Sequence, residues 1–139
     1  MNYLLDTCVI SELIKQKPSS KVLKWLHSCQ DENLFLSSLT IGEIQKGISK
    51  LPDSRKRNKL QEWMDTELIR RFDKKILEID FKVAQKWGEI QASSEIVGTK
   101  MPVIDSLIAS IGIVHNMTVV TRDTSGMKNS GVRLFNPWV

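Results

Sequence analysis

The sequence predicts an α/β domain built on a central, mostly parallel five-stranded sheet, and two observations predict it. Five short apolar runs, "NYLL", "NLFLS", "KILEI", "MTVV" and "VRLF", are each bounded by polar or turn-forming residues, as buried strands are. Between them lie longer stretches whose apolar residues recur at helical spacing. Strands that alternate with helices argue for parallel pairing through crossovers.

The helices follow in order. "TCVISELIK" and "SSKVLKWLHSC" fill the first gap, the second with Val22, Trp25 and Leu26 on one face and a serine placed as N-cap. After the second strand, "SLTIGEIQKGISK" sets Ile41, Ile44 and Ile48 on one stripe, and "SRKRNKLQEWMDTELIRRF" reads as one basic amphipathic helix. "DFKVAQKWGEIQASSEIVG" places Val83, Ala84, Trp87 and Ile90 on a stripe, with Gly98 as its stop. In "PVIDSLIASIGIVHN", Pro102 suits the first helical turn and Ile104, Leu107, Ile108 and Ile111 face inward.

Composition bounds the class. At 139 residues, with 41% hydrophobic and 26% charged residues, the chain is one ordinary globular domain spanning 1–139, with no internal repeat or linker. Cys8 and Cys29 show neither a CxxC spacing nor the density of a secreted scaffold, which suggests a reducing compartment. No signal-like leader and no membrane-length apolar run is present, so a cytoplasmic protein is expected. The net charge of +4 favours a polyanionic partner without proving one. Much of the excess lies between Arg55 and Lys75, which reads as a solvated helix face or as a phosphate-facing patch.

In an open parallel sheet the ligand site lies at the carboxyl ends of the strands. Asp6 ends the first strand and Asp123 the fourth, while Glu43 falls in the first turns of the helix after the second strand, able to point back over the same edge. Asp105 starts a helix that follows another helix, and spacing alone does not bring it there. Each acid has an ordinary reading as a cap, a partner of a helix N-terminus or a solvated side chain. Gathered together they need a proton or a cation, because carboxylates about 4 Å apart repel by roughly 4 kcal/mol per pair at an effective dielectric near 20. Histidine and cysteine occur at no ligand spacing, so an all-oxygen site would take a hard ion, Mg²⁺ or Mn²⁺. Such a site suits phosphodiester hydrolysis.

These stretches resemble the PIN-domain nucleases, and among them the VapC and FitB-like toxins of type II toxin-antitoxin systems. "LLDTCVISEL" resembles the first motif, "SSLTIGEIQKGI" the serine-threonine and glutamate motif, "PVIDSLIASIGIVHNMTVVTRD" the third and fourth acids, and "FNPW" the ending of the FitB-like branch. The resemblance implies a three-layer α/β/α PIN-like fold and a metal-dependent endoribonuclease. It implies that Asp6, Glu43, Asp105 and Asp123 hold one or two Mg²⁺ or Mn²⁺ ions and act on single-stranded RNA. Asp105 would join them through docking of its helix on the central strands, and Thr7 and Thr121 would support the acids by hydrogen bonds, though core or capping roles fit them too.

The resemblance further implies a homodimer and a hetero-oligomer with a cognate antitoxin whose C-terminal segment reaches the site. Promoter DNA would be bound only indirectly, through the antitoxin, and no membrane is involved. One departure stands out: the family most often has asparagine where this chain has Cys8, which is either a small buried side chain or a soft ligand. Two rivals remain. A non-catalytic partner in a DNA-bound regulatory complex has no need of four mutually repelling acids. A phosphoacceptor receiver wants a lysine at the end of the last strand, where this chain has Phe135 and Asn136.

Overall fold

Leu4 and Leu5 are adjacent in the first strand and both buried, yet they belong to two different hydrophobic cores. Successive side chains of a strand point to opposite faces, so a sheet whose neighbouring residues are both apolar must be covered on both sides. Val119 and Val120 repeat the pattern, one in each core. The three-layer expectation follows from these pairs.

The computed structural model describes residues 1–139. All five expected strands form: β1 (Tyr3–Leu5), β2 (Leu34–Ser37), β3 (Ile76–Leu77), β4 (Thr118–Val120) and β5 (Leu134–Phe135). They pair in the order β3-β2-β1-β4-β5, and every pair is parallel. The chain builds outward from β1 to β3, then returns to lay β4 on the other side of β1. The order therefore reverses between β1 and β4, at the switch point where open α/β sheets bind ligands.

Helices α1 (Thr7–Leu13), α2 (Ser20–Ser28), α3 (Ser38–Ser49) and α4 (Arg55–Trp63) follow the first two strands. Their N-caps are the side chains of Asp6, Ser19, Ser37 and Ser54, each accepting a backbone N–H of the first turn. A π-helical turn (Met64–Leu68) and α5 (Ile69–Arg71) come next. Then α6 (Phe81–Ile96), capped by Asp80, packs along α7 (Val103–Val114). Val9, Ile10, Val22, Ile44 and Ile48 fill the core on one side of the sheet; Val83, Ile90, Ile108 and Ile111 fill the other.

Four details depart from the sequence reading. The stretch 54–72 is not one regular helix, because the wider π turn keeps Met64, Leu68 and Phe72, spaced four apart, all in the core. Ala84 is exposed, since α6 meets its neighbours through Val83, Ile90, Gln91 and Ser94 and leaves Ala84 on the outer side. Ile104 is 37% exposed at the rim of a groove beside α3. Pro102 stands one residue earlier than expected, as N-cap of α7. Gly98 does end α6, with a left-handed φ of 76°. No helix is long and apolar enough to cross a membrane.

α7 docks on β4 through Gly112, as the placement of Asp105 requires. A methyl group at Gly112 would lie 2.8 Å from Val119 Cγ2 and 3.0 Å from Val132 Cγ2, both on stiff β-branched side chains. Gly112→Ala is expected to destabilise the fold by about 1–3 kcal/mol. The measurement is a lower urea midpoint with an unchanged slope.

Candidate active site

β1 ends at Leu5, and the next residue is carried over the sheet edge. Asp6 N–H donates to Val120 O of β4 at 2.9 Å, which pins the residue to the switch point. One Asp6 oxygen caps α1 by accepting from Thr7 N at 2.8 Å, and the other accepts from the Thr121 hydroxyl at 2.9 Å. Thr121 follows β4 directly and is fully buried. The side chain is thus fixed by one group from the segment that follows each central strand.

Glu43 lies on α3, whose start is built by Ser37 and Thr40, both buried; Ser37 Oγ accepts from Thr40 N at 3.1 Å. The Thr7 hydroxyl donates to Glu43 Oε1 at 2.5 Å and lies 3.3 Å from Thr40 Oγ1. Both threonines named in the sequence therefore contact an acid, Thr7 on Glu43 and Thr121 on Asp6.

Asp123 caps the 3₁₀ turn Thr124–Gly126, accepting from Ser125 N at 3.1 Å and Ser125 Oγ at 2.5 Å. Asp105 comes from the first turn of α7 and meets the same turn from the other side: a methyl group at Gly126 would lie 3.2 Å from Asp105 Cγ and closer still to Oδ2. Gly126 is the position that sequence reading missed. Its glycine is needed for close approach to a carboxylate 21 positions earlier, and nothing in "DTSG" announces that.

The four acids act on one another electrostatically. Burial pushes the Asp105 carboxyl above its ordinary value, and the charges of Asp6, Asp123 and Glu43 push it further. Asp6 is also raised, first by burial, against the opposing hydrogen bonds from Thr7 and Thr121, and then by Glu43 and Asp123. No three acidic, histidine or cysteine side chains converge at ligand distance on one point. The donor chemistry nevertheless fits a hard divalent cation, since the set is all carboxylate and mutually repelling.

Cys8 sits half-buried behind Asp6, with Sγ 3.6 Å from Thr121 Oγ1 and accepting from Arg122 N at 3.4 Å. Burial pushes its thiol up, so it stays protonated at neutral pH, which favours the small packed side chain over the soft ligand. It keeps a contact to the loop after β4.

The "FNPW" ending closes over that loop. Asn136 Nδ2 donates to Arg122 O at 3.1 Å, and the Arg122 guanidinium lies 5.5 Å from the centre of the Trp138 ring. Trp138 Nε1 donates to Glu12 at 3.2 Å. Glu12, a buried acid on α1, also pairs with Lys15 at 3.0 Å and accepts from Ser19 N at 2.9 Å. The Lys15 contact first, then Ser19 and Trp138, hold its carboxyl below the ordinary range. That contribution is present above the ordinary glutamate value of 4.5 and lost as pH falls through the depressed one. Glu12→Gln turns an amide donor toward donors already in place and is expected to cost about 1–3 kcal/mol. The difference from the wild type, read as urea midpoints, should be full at neutral pH and shrink in acid.

Fold and site together define an α/β domain with a carboxylate cluster at the switch point of an all-parallel sheet. The family model described as PIN domain matches residues 3–129, and the chain belongs to the PIN-domain family. Within it, the chain is 35% identical to toxin FitB of Neisseria gonorrhoeae (strain ATCC 700825 / FA 1090), over 97% of each chain. It is 31% identical to the VapC ribonuclease Y4jK of Sinorhizobium fredii (strain NBRC 101917 / NGR234), over 97% of this chain and 96% of the relative. A solved structure of FitAB bound to the IR36 DNA fragment superposes with a TM-score of 0.94 at 36% identity, covering 99% of this chain and 96% of that one.

Proposed function

We propose that this protein is a metal-dependent endoribonuclease and the toxin of a type II toxin-antitoxin pair, cutting RNA at the Asp6, Glu43, Asp105 and Asp123 cluster. The observation that carries the reading is geometric: Thr7 bonds both Asp6 and Glu43, Thr121 bonds Asp6 from beyond β4, and Asp105 abuts the turn that Asp123 caps. Relatives that share nearly the whole chain and bear the names toxin and ribonuclease support it.

The four carboxylates would hold Mg²⁺ or Mn²⁺. When bound, such an ion lowers the pKa of a water and neutralises charge growing on the phosphate. The chain's own groups set the rest. Thr121 and the α1 cap fix Asp6, Thr7 fixes Glu43, and Ser125 fixes Asp123, so three of the acids are held before any ligand arrives. Asp105 has no such partner and is held by packing against Gly126. Raised carboxyls at Asp6 and Asp105 mean that protons compete with cations there, so activity should rise with pH across the carboxylate range.

An antitoxin segment has a groove to occupy. A cavity of about 490 Å³ between α1, α3 and α4 is walled by Ile14, Ile44, Ile48, Leu51 and Leu60 and opens onto Thr7 and Glu43. An apolar strand or helix seated there would end at the acids, and DNA would then be reached through the partner. We place the pair in the cytoplasm, in keeping with two free thiols.

The test is cleavage of RNA by the purified chain. EDTA is expected to stop it, and Mg²⁺ or Mn²⁺ to restore it by at least about 100-fold. Activity that survives EDTA, or that returns only with Zn²⁺, would overturn the assignment. Growth arrest on expression, relieved by Asp6→Asn, separates a toxin from a non-catalytic member of a DNA-bound complex.

A further inference from the structure

A second groove leaves the acid cluster on the other side of α3. It has a volume of about 580 Å³, and its lining includes Thr7, Gly42, Glu43, Lys46, Lys50 and Ile104. Glu43, Lys46 and Lys50 lie at i, i+3 and i+7, so they share one helix face and step away from the acids turn by turn. Both lysines are exposed, and neither belongs to any of the chain's three ion pairs. Cations that neutralise nothing within the protein and line a concave path to a carboxylate cluster are suited to a polyanion laid along that path.

The floor of the groove supplies a second observation. Gly42 and Gly47 sit inside α3, where each glycine costs about 1 kcal/mol relative to alanine. Neither has a positive φ, and a methyl group at either would meet nothing within 4 Å. No packing or backbone demand within the chain accounts for them. Gly42 borders this groove alone and Gly47 borders both it and the apolar groove, and their bare backbone leaves the floor open for another backbone to lie close. The far wall carries Ile104, a partly exposed apolar side chain. Lys46 and Lys50 rise about 6 Å apart along the helix axis, comparable to one step of an extended nucleic-acid strand.

We propose that this groove is the track for the RNA backbone flanking the cut, with Lys46 and Lys50 each holding a phosphate and the Gly42–Gly47 floor admitting the strand. The proposal rests on the ribonuclease reading and names where that site's substrate lies. The basic residues of "SRKRNK" are not required for it; Lys56 lines the apolar groove instead.

The experiment measures binding of a labelled single-stranded RNA of mixed sequence by anisotropy, in EDTA, across a range of KCl concentrations. Wild-type protein is compared with Lys46→Gln/Lys50→Gln, with Gly42→Leu, and with Lys21→Gln/Lys24→Gln on α2, which loses the same charge away from both grooves. The slope of log affinity against log salt should fall by about 1.4 in the α3 double variant, at about 0.7 for each phosphate no longer neutralised, and stay at the wild-type value in the α2 control. Gly42→Leu should weaken binding at every salt concentration while its thermal midpoint holds or rises. An α3 variant with the wild-type slope, or one matched by the α2 control, overturns the track, as does full binding by Gly42→Leu. If wild-type protein cuts RNA and the variants still bind normally, the track fails and the ribonuclease reading stands. Wild-type protein that neither binds nor cuts RNA ends both.

Discussion

Asp6→Asn and Asp105→Asn are each expected to fold and to lose RNA cleavage by at least about 100-fold. Both changes are nearly isosteric, so what they remove is charge. At Asp6, the asparagine oxygen can still cap α1 at Thr7 N, and its amide can donate to the Thr121 hydroxyl where the carboxylate accepted. At Asp105 no hydrogen bond is lost, because the carboxylate is held by packing on Gly126. Stability provides the independent check. Asp105 is raised in the folded chain, by burial and then by the charges of Asp6, Asp123 and Glu43, so ionising it works against folding. A raised acid favours the fold below the ordinary carboxylate value and loses that contribution as pH climbs through the raised one. Asparagine has no charge to lose. In EDTA, Asp105→Asn should therefore be more stable than wild type at neutral pH, with the gain disappearing in acid. Inactive variants that are also destabilised at neutral pH would mean that the acids serve the fold; active ones would remove them from the chemistry.

The sequence exposed most of this architecture because the relevant signals are local. Apolar runs of four or five residues contain the five strands. β1, β2, β3 and β4 each face two cores and so show no alternation to confuse the reading, while the edge strand β5 half-buries Leu134 and leaves Phe135 exposed. The caps Ser19 and Gly98 are likewise read within a turn of their helices. Errors fell where burial depends on a neighbour remote in sequence. Ile104 sits at the correct helical spacing to be buried, yet α7 turns it toward the groove beside α3. The π turn after Trp63 changes helical register without any glycine or proline to mark it.

The site divides in the same way. Of the candidate acids, Asp6 follows β1 directly and Glu43 lies on the helix after β2, as position alone suggests, whereas Asp123 does not end β4 as expected but stands three residues beyond Val120, capping the 3₁₀ turn. Asp105 was not legible from position, because its place depends on α7 lying across β4 at Gly112, and only resemblance supplied it. Glu12 and Trp138 illustrate the limit. They are joined by a hydrogen bond across nearly the whole chain, and neither residue type indicates the other.

Gly126→Ala is expected to reduce cleavage by about 10- to 100-fold while leaving the fold intact, although Gly126 carries no chemistry. The added methyl group would press on Asp105 Oδ2, with Asp105 Cγ at 3.2 Å and Cβ at 3.8 Å. Something must move, and the surroundings limit what can. The 3₁₀ turn is tied by the two Ser125 bonds to Asp123, and the preceding Arg122 carbonyl is held by Asn136. Asp105 has no hydrogen bond to resist, so its carboxylate is the group that swings away. If the turn yields instead, it carries Asp123 with it, and one of the four acids is displaced in either case. Gly126 has no positive φ, so alanine is tolerated by the backbone and should even restrict the unfolded chain slightly. Thermal stability is thus expected to change little, which separates this variant from a packing defect such as Gly112→Ala. A double-mutant cycle with Asp105→Ala decides the route. If Gly126 acts only by seating Asp105, Gly126→Ala costs nothing further once that carboxylate is gone. Full additivity would instead place the damage at Asp123, and undiminished cleavage by the single variant would show that the close approach at Gly126 does not set the position of Asp105 during the reaction.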